Sequence, residues 1–143
     1  MIMNLILAYL GTVAYAIIYR VPKRALLTAG LVGAGASAIR SGVEQLASSA
    51  VAGAFLGAFF VSIASEMLAR IQKLPATVFI VCGILMLVPG MRALSAMRFF
   101  MEKDYFQGIS NGTETFLIAG GIAAGLVVGG ALMRFGRRRQ HVA

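Results

Sequence analysis

No charged residue falls within Met1–Tyr19, Ala25–Ile39, Gln45–Ser65, Leu74–Met91 or Thr115–Met133. A helix needs about 20 apolar residues to cross roughly 30 Å of hydrocarbon at 1.5 Å per residue. The first, third and fifth runs meet that, and the five together leave room for little else in 143 residues. Only 13% of the residues are charged, against about a quarter in a soluble domain. A disordered tail or a disulfide scaffold is therefore excluded, and the lone Cys82 can close no internal disulfide. A formal charge of +8 ordinarily points to nucleic acid. Uncharged runs of this length argue against that partner and for a lipid bilayer.

The expected fold is an all-α membrane protein of about five transmembrane helices in one domain over residues 1–134. The spans are read at about 2–19, 25–40, 46–67, 75–90 and 114–133, with a basic cytoplasmic tail at 135–143. The second uncharged run covers only about 22 Å at helical rise. It spans if Arg24 and Arg40 snorkel to opposite surfaces, if the bilayer thins, or if protein covers it. The first run has the small-x-small pattern Ala14-Tyr15-Ala16 of a cleavage site. No basic residue precedes it, and Arg20, Lys23 and Arg24 follow, which suits a retained helix.

Basic residues in short loops set orientation. With five spans, one side holds Arg20, Lys23, Arg24, Arg70, Lys73 and the tail arginines, nine in all, against four on the other. The N-terminus is then expected outside and the C-terminus in the cytoplasm of a bacterial inner membrane. The connection carrying Arg92, Arg98 and Lys103 is the exception, since it puts three basic residues outside.

Small residues mark where helices meet, because lipid supplies little hydrophobic drive between them. Gly53 and Gly57 are four apart in the third span, and Gly121, Gly125 and Gly129 repeat at the same interval in the fifth. They pack helices within the chain or face a partner, including a second copy.

The fourth run is interrupted. Pro75 suits a helix start, where its missing N–H is no loss, but Pro89-Gly90 stops a helix near the far end. Beyond it, Met91, Leu94, Met97, Met101 and Tyr105 recur at helical spacing, with Arg92, Ser95, Arg98 and Glu102 on another face. This is an amphipathic segment. Two readings of the break stay open. Unpaired backbone and a half-helix end there offer polar groups to a small solute, or the helix ends at Val88 and an interfacial helix follows. Arg92 either holds a carboxylate or anchors to headgroups. Glu66 with Arg70, and Arg40 with Glu44, have the i,i+4 spacing of ion pairs. Cys82 reads as a packing residue. His141 reads as a solvated tail residue, and one histidine makes no metal site. No nucleophile–base set, paired catalytic carboxylates, phosphate loop or metal-ligand cluster is present. The chain is therefore not read as an enzyme, no cofactor or metal is expected, and an ATP-driven pump within it is excluded.

Pro75-Ala76-Thr77-Val78-Phe79, then Gly83-Ile84, then Leu87-Val88-Pro89-Gly90 resembles the signature of the threonine/serine exporter family. Val21-Pro22-Lys23-Arg24-Ala25-Leu26, followed by Gly30 and Gly33, is similar to it as well. The chain departs from that pattern at Arg92 and Leu94. The resemblance implies the small subunit of a two-component secondary transporter, completed by a larger membrane subunit of the same family. It implies export of small amino acids such as threonine and serine, or of dicarboxylates such as succinate. The expected substrate-binding residues are Phe79, Gly83, Pro89, Gly90 and Arg92, around the break. The rival reading is a homo-oligomeric small-solute channel, or a structural membrane subunit without its own transport site.

Overall fold

Each helix of the chain begins or ends on a residue with a local reason to do so. The computed structural model describes the backbone of residues 2–140 and the side chains of residues 3–135. Six helices follow one another: α1 (Ile2–Ile18), α2 (Lys23–Ala47), α3 (Ala50–Gln72), α4 (Ala76–Ile84), α5 (Gly90–Met101) and α6 (Tyr105–Gln140). Pro22 and Pro75 sit immediately before α2 and α4, where an absent N–H costs nothing. Ser49 caps α3 by accepting from the Ala52 N–H at 3.3 Å, and Asp104 caps α6 by accepting from the Gln107 N–H at 3.2 Å. Four turns close on non-glycine residues in the left-handed region: Arg20, Ser48, Lys73 and Lys103. Beyond three of them an N–H reaches back five residues, as in Asp104 N–H to Phe99 O at 2.9 Å, the Schellman arrangement.

Three helical segments are long and apolar enough to cross a membrane: Lys23–Ala47, Ala50–Gln72 and Tyr105–Phe135, with a shorter apolar helix over Met3–Ile18. The fold is that of an all-α membrane protein. The second span is longer than its uncharged run, because α2 continues through Arg40 and Glu44 to Ala47. At 25 residues it needs no thinning of the bilayer. The interruption is also wider than one peptide unit. Pro89 has no N–H for the Leu85 carbonyl and disfavours helical geometry at Val88. Accordingly α4 stops at Ile84 and residues 85–89 form turns before α5 starts at Gly90. Neither piece spans the hydrocarbon alone, at roughly 14 and 18 Å. The basic tail, with Arg137, Arg138, Arg139 and His141, lies outside the described side chains.

α3 and α6 run in the same direction, with Gly121 against Val51 and Gly129 against Ser62. They approach so closely that a Cβ at Gly129 would lie 2.7 Å from Ser62 Cβ, and one at Gly125 would strike the Phe55 carbonyl oxygen. The Ser62 hydroxyl ties the seam by donating to Leu126 O at 3.2 Å. Gly53 and Gly57 serve α3 on its other side. A Cβ at Gly53 would meet Arg40 O at 2.9 Å, and one at Gly57 would meet Leu87 Cδ2 at 2.7 Å. All five glycines of the two stripes thus have contacts within the chain.

Two apolar clusters fill the interior. Val32, Ala36, Ala54, Ala58, Val61, Leu87, Ile118 and Ile122 form the first. Ala16, Ala25, Ala29, Ala69, Phe79 and Cys82 form the second. α5 does not continue this packing. It folds back on the start of α6 as an antiparallel hairpin, with Phe100 against Gly108 and only Ala96 buried. Met91, Leu94, Met97 and Met101 face outward, while Arg92 turns inward to the bundle.

Candidate functional site

The broken stretch between α4 and α5 lies against the last turns of α2. Helix ends leave carbonyls without partners, and within a membrane-embedded bundle such groups need a donor from elsewhere in the protein. Arg40 supplies one: its Nη1 donates to Leu87 O at 2.9 Å. Leu87 is itself fully buried, with its side chain over Gly57. The arginine therefore fixes the interrupted segment to α2 by side chain and backbone together.

One turn further along α2, Glu44 lies 4.0 Å from Arg40 Nε. Its other oxygen is 3.4 Å from Arg92 Nη2 on α5. The second arm of Arg92, Nη1, pairs with Glu114 on α6. Arg92 is thus held between two carboxylates from two different helices, two residues after Gly90. The side chains of Arg40, Glu44, Arg92 and Glu114 are 18%, 38%, 33% and 45% exposed. They are neither core nor free surface, so a solute can reach them and water screens them only in part. Two guanidinium groups and two carboxylates sum to zero charge.

Such a cluster can exchange partners. A guanidinium takes a carboxylate through parallel N–H donors. The carboxylate of an incoming zwitterion can replace one Glu on Arg92, and its ammonium can take the Glu so released. No net charge is then carried into low dielectric, where an unpaired ion is costly.

The structure sorts the sequence-derived residues into two groups. Pro89, Gly90 and Arg92 lie at this corner, and a Cβ on Gly90 would have open space around it. Phe79 and Gly83 do not lie there. Phe79 is fully buried in the second apolar cluster. A Cβ at Gly83 would meet Val61 Cγ1 at 2.7 Å. Both are packing positions on α4, ahead of the interruption.

Glu114 and the contact of Arg40 with Leu87 O are members of the site that sequence reasoning missed. The spacing of Arg40 and Glu44 was a signal, but nothing local announces Glu114. Its partner depends on how α5 folds back. Glu66 and Arg70 have the same spacing as Arg40 and Glu44, yet they form no ion pair among the described residues. Among those residues, no three His, Cys, Asp or Glu side chains gather as a metal-ligand set.

The model of the family described as "Threonine/Serine exporter, ThrE" matches residues 4–131. No curated protein and no solved structure matches the chain.

Proposed function

Because the chain belongs to the threonine/serine exporter family, a family of membrane transporters, we propose that it is the small subunit of a two-component secondary exporter of small zwitterionic amino acids. A larger membrane subunit of the same family completes it. The observation that carries this reading is Arg92 clamped between Glu44 and Glu114 at the mouth of the interrupted helix. Threonine or serine enters by exchanging with those carboxylates, with the exposed Gly90 leaving the approach open. The neutral sum of the cluster favours a zwitterion over a dicarboxylate, whose second charge would lie against two glutamates.

The charges also support an orientation. Of the four basic residues at the Ser48 end, Arg40, Arg92 and Arg98 each pair with a carboxylate. The count still puts nine basic residues on one side and four on the other, and the rule counts basic residues rather than net charge. At the Lys73 end, Arg20, Lys23, Arg24, Arg70 and Lys73 form no such pairs among the described residues. This suits an N-terminus outside and a basic C-terminus in the cytoplasm of a bacterial inner membrane.

The test is export of threonine, serine and succinate from vesicles carrying the chain with and without the larger subunit. Arg92→Ala should lower amino-acid export by about ten- to a hundredfold, the worth of one charged hydrogen-bonded contact. Arg92→Lys should restore part of it. Transport by this chain alone would remove the two-subunit reading in favour of a channel. Movement of succinate without threonine or serine would remove the amino-acid reading.

A further inference from the structure

On the face of α2 turned toward α1, Ser37, Ser41 and Gln45 follow one another at four-residue steps. With Asn4 of α1, and with Leu5 and Ala38, they line a cleft of about 130 Å³. The cleft lies on the same two turns of α2 as Arg40 and Glu44, about 100° around the helix from them.

Several hydroxyls in this bundle are satisfied by the protein, although the buried Ser65 hydroxyl has no partner among the described residues. Thr12 donates to Ala8 O at 2.7 Å, Thr28 to Ala25 O at 3.0 Å, and Thr115 to Asn111 O at 2.7 Å. Such bonds back to the preceding turn are the ordinary fate of Ser and Thr in helices. Ser62 reaches across to the next helix instead. Among the described residues, Asn4, Ser37, Ser41 and Gln45 make neither kind of bond. They do not join α1 to α2 as polar cross-links do between membrane helices. Their donors and acceptors are left facing a shared space.

The lining is uncharged, and each of the four groups both donates and accepts. The volume equals about four waters at roughly 30 Å³ each, the size of a small amino acid. Amide and hydroxyl donors suit a carboxylate, and their oxygens suit an ammonium. We propose that this cleft is a second binding site, for a small net-neutral solute of the amino-acid class. The proposal rests on reading the chain as an amino-acid exporter, but not on the Arg92 cluster.

Ala38 lines the cleft and contributes no hydrogen bond, so Ala38→Cys reports on it without altering the four polar groups. The chain's only cysteine, Cys82, is buried and is removed as Cys82→Ala. The full chain, in native membrane vesicles, is treated with a membrane-impermeant methanethiosulfonate reagent in the presence of L-threonine, L-serine or succinate. An amino acid at twice its Kd should slow labelling about threefold by simple occupancy, and succinate should not slow it. Adding Ser41→Ala should raise the protecting concentration about two- to tenfold. Leu5→Cys gives an independent reporter from α1 if the first variant does not fold.

Labelling that proceeds equally with and without either amino acid overturns the site, and so does an absence of labelling at both positions. Export of threonine with no protection at the cleft removes this site and leaves the exporter. Protection with no export leaves the site and removes the exporter.

Discussion

The α3–α6 seam and the α4–α5 interruption hold helices together by opposite means. The seam works by leaving atoms out: Gly121, Gly125 and Gly129 let two backbones meet, and one hydroxyl ties them. The interruption works by putting charges in: Arg40, Glu44, Arg92 and Glu114 bridge α2, α5 and α6 where the backbone ladder fails. Close packing has one good arrangement and resists change. Charged groups that are a third or more exposed can trade one partner for another at modest cost. Rigidity is therefore concentrated in one region and exchange in the other.

The largest expected effect is at the seam. Gly125→Ile places a branched side chain against the Phe55 backbone, so α3 and α6 must separate. Overpacking of this kind costs about 3 kcal/mol. The variant should elute from detergent as aggregate or lose its thermal transition. Wild-type elution and melting would mean that the seam is as adaptable as the break, and the contrast would fail.

Arg40→Met comes next. It keeps most of the side-chain volume but leaves Leu87 O without its donor, a loss of about 1–3 kcal/mol. The melting temperature should fall, and residues 85–89 should become the first site of proteolysis. Unchanged protection there would show that the break holds without its charged tie.

The smallest effect is at Lys103, the left-handed turn residue between α5 and α6. Lys103→Gly relieves the strain of a side chain in that region while loosening the unfolded chain, a net gain of about 0.5–1 kcal/mol. Thermal melting reads it directly. A loss of stability would mean that the lysine side chain makes a contribution larger than its strain.

What the sequence disclosed here is what depends on neighbours along the chain. Uncharged runs located the crossings, Pro75 marked a helix start, and Pro89 marked the interruption. The same local logic under-read α2. Charge was taken as the end of a span, whereas Arg40 and Glu44 stay within the helix because Leu87 O in the interruption and Arg92 on α5 satisfy them. Phe79 and Gly83, expected beside the substrate, are buried in helix packing. A motif shows that residues recur together, not whether they face a solute or a core. The amphipathic stripe of α5 was legible, but not the direction it faces. Arg92 turns inward because Glu44 and Glu114 are there, and neither is near it in sequence. Ser37, Ser41 and Gln45 drew no notice, since only the approach of Asn4 from α1 makes their shared face a cleft.

The order of the charged cluster along the chain has a consequence for biosynthesis. Glu44 lies 48 residues ahead of Arg92, and translation delivers about 5–20 residues per second. The carboxylate is therefore in the membrane for roughly 2–10 s before the arginine arrives. Arg92 enters beside a waiting counter-charge, and Glu114 completes the clamp afterwards from the other side. The helix that closes the bundle is in this sense recruited by Arg92 of α5, which Glu44 of α2 has already paired. A ribosome-bound chain halted between Arg92 and Glu114 already carries Arg40, Glu44 and Arg92 and lacks only the residue that closes the clamp.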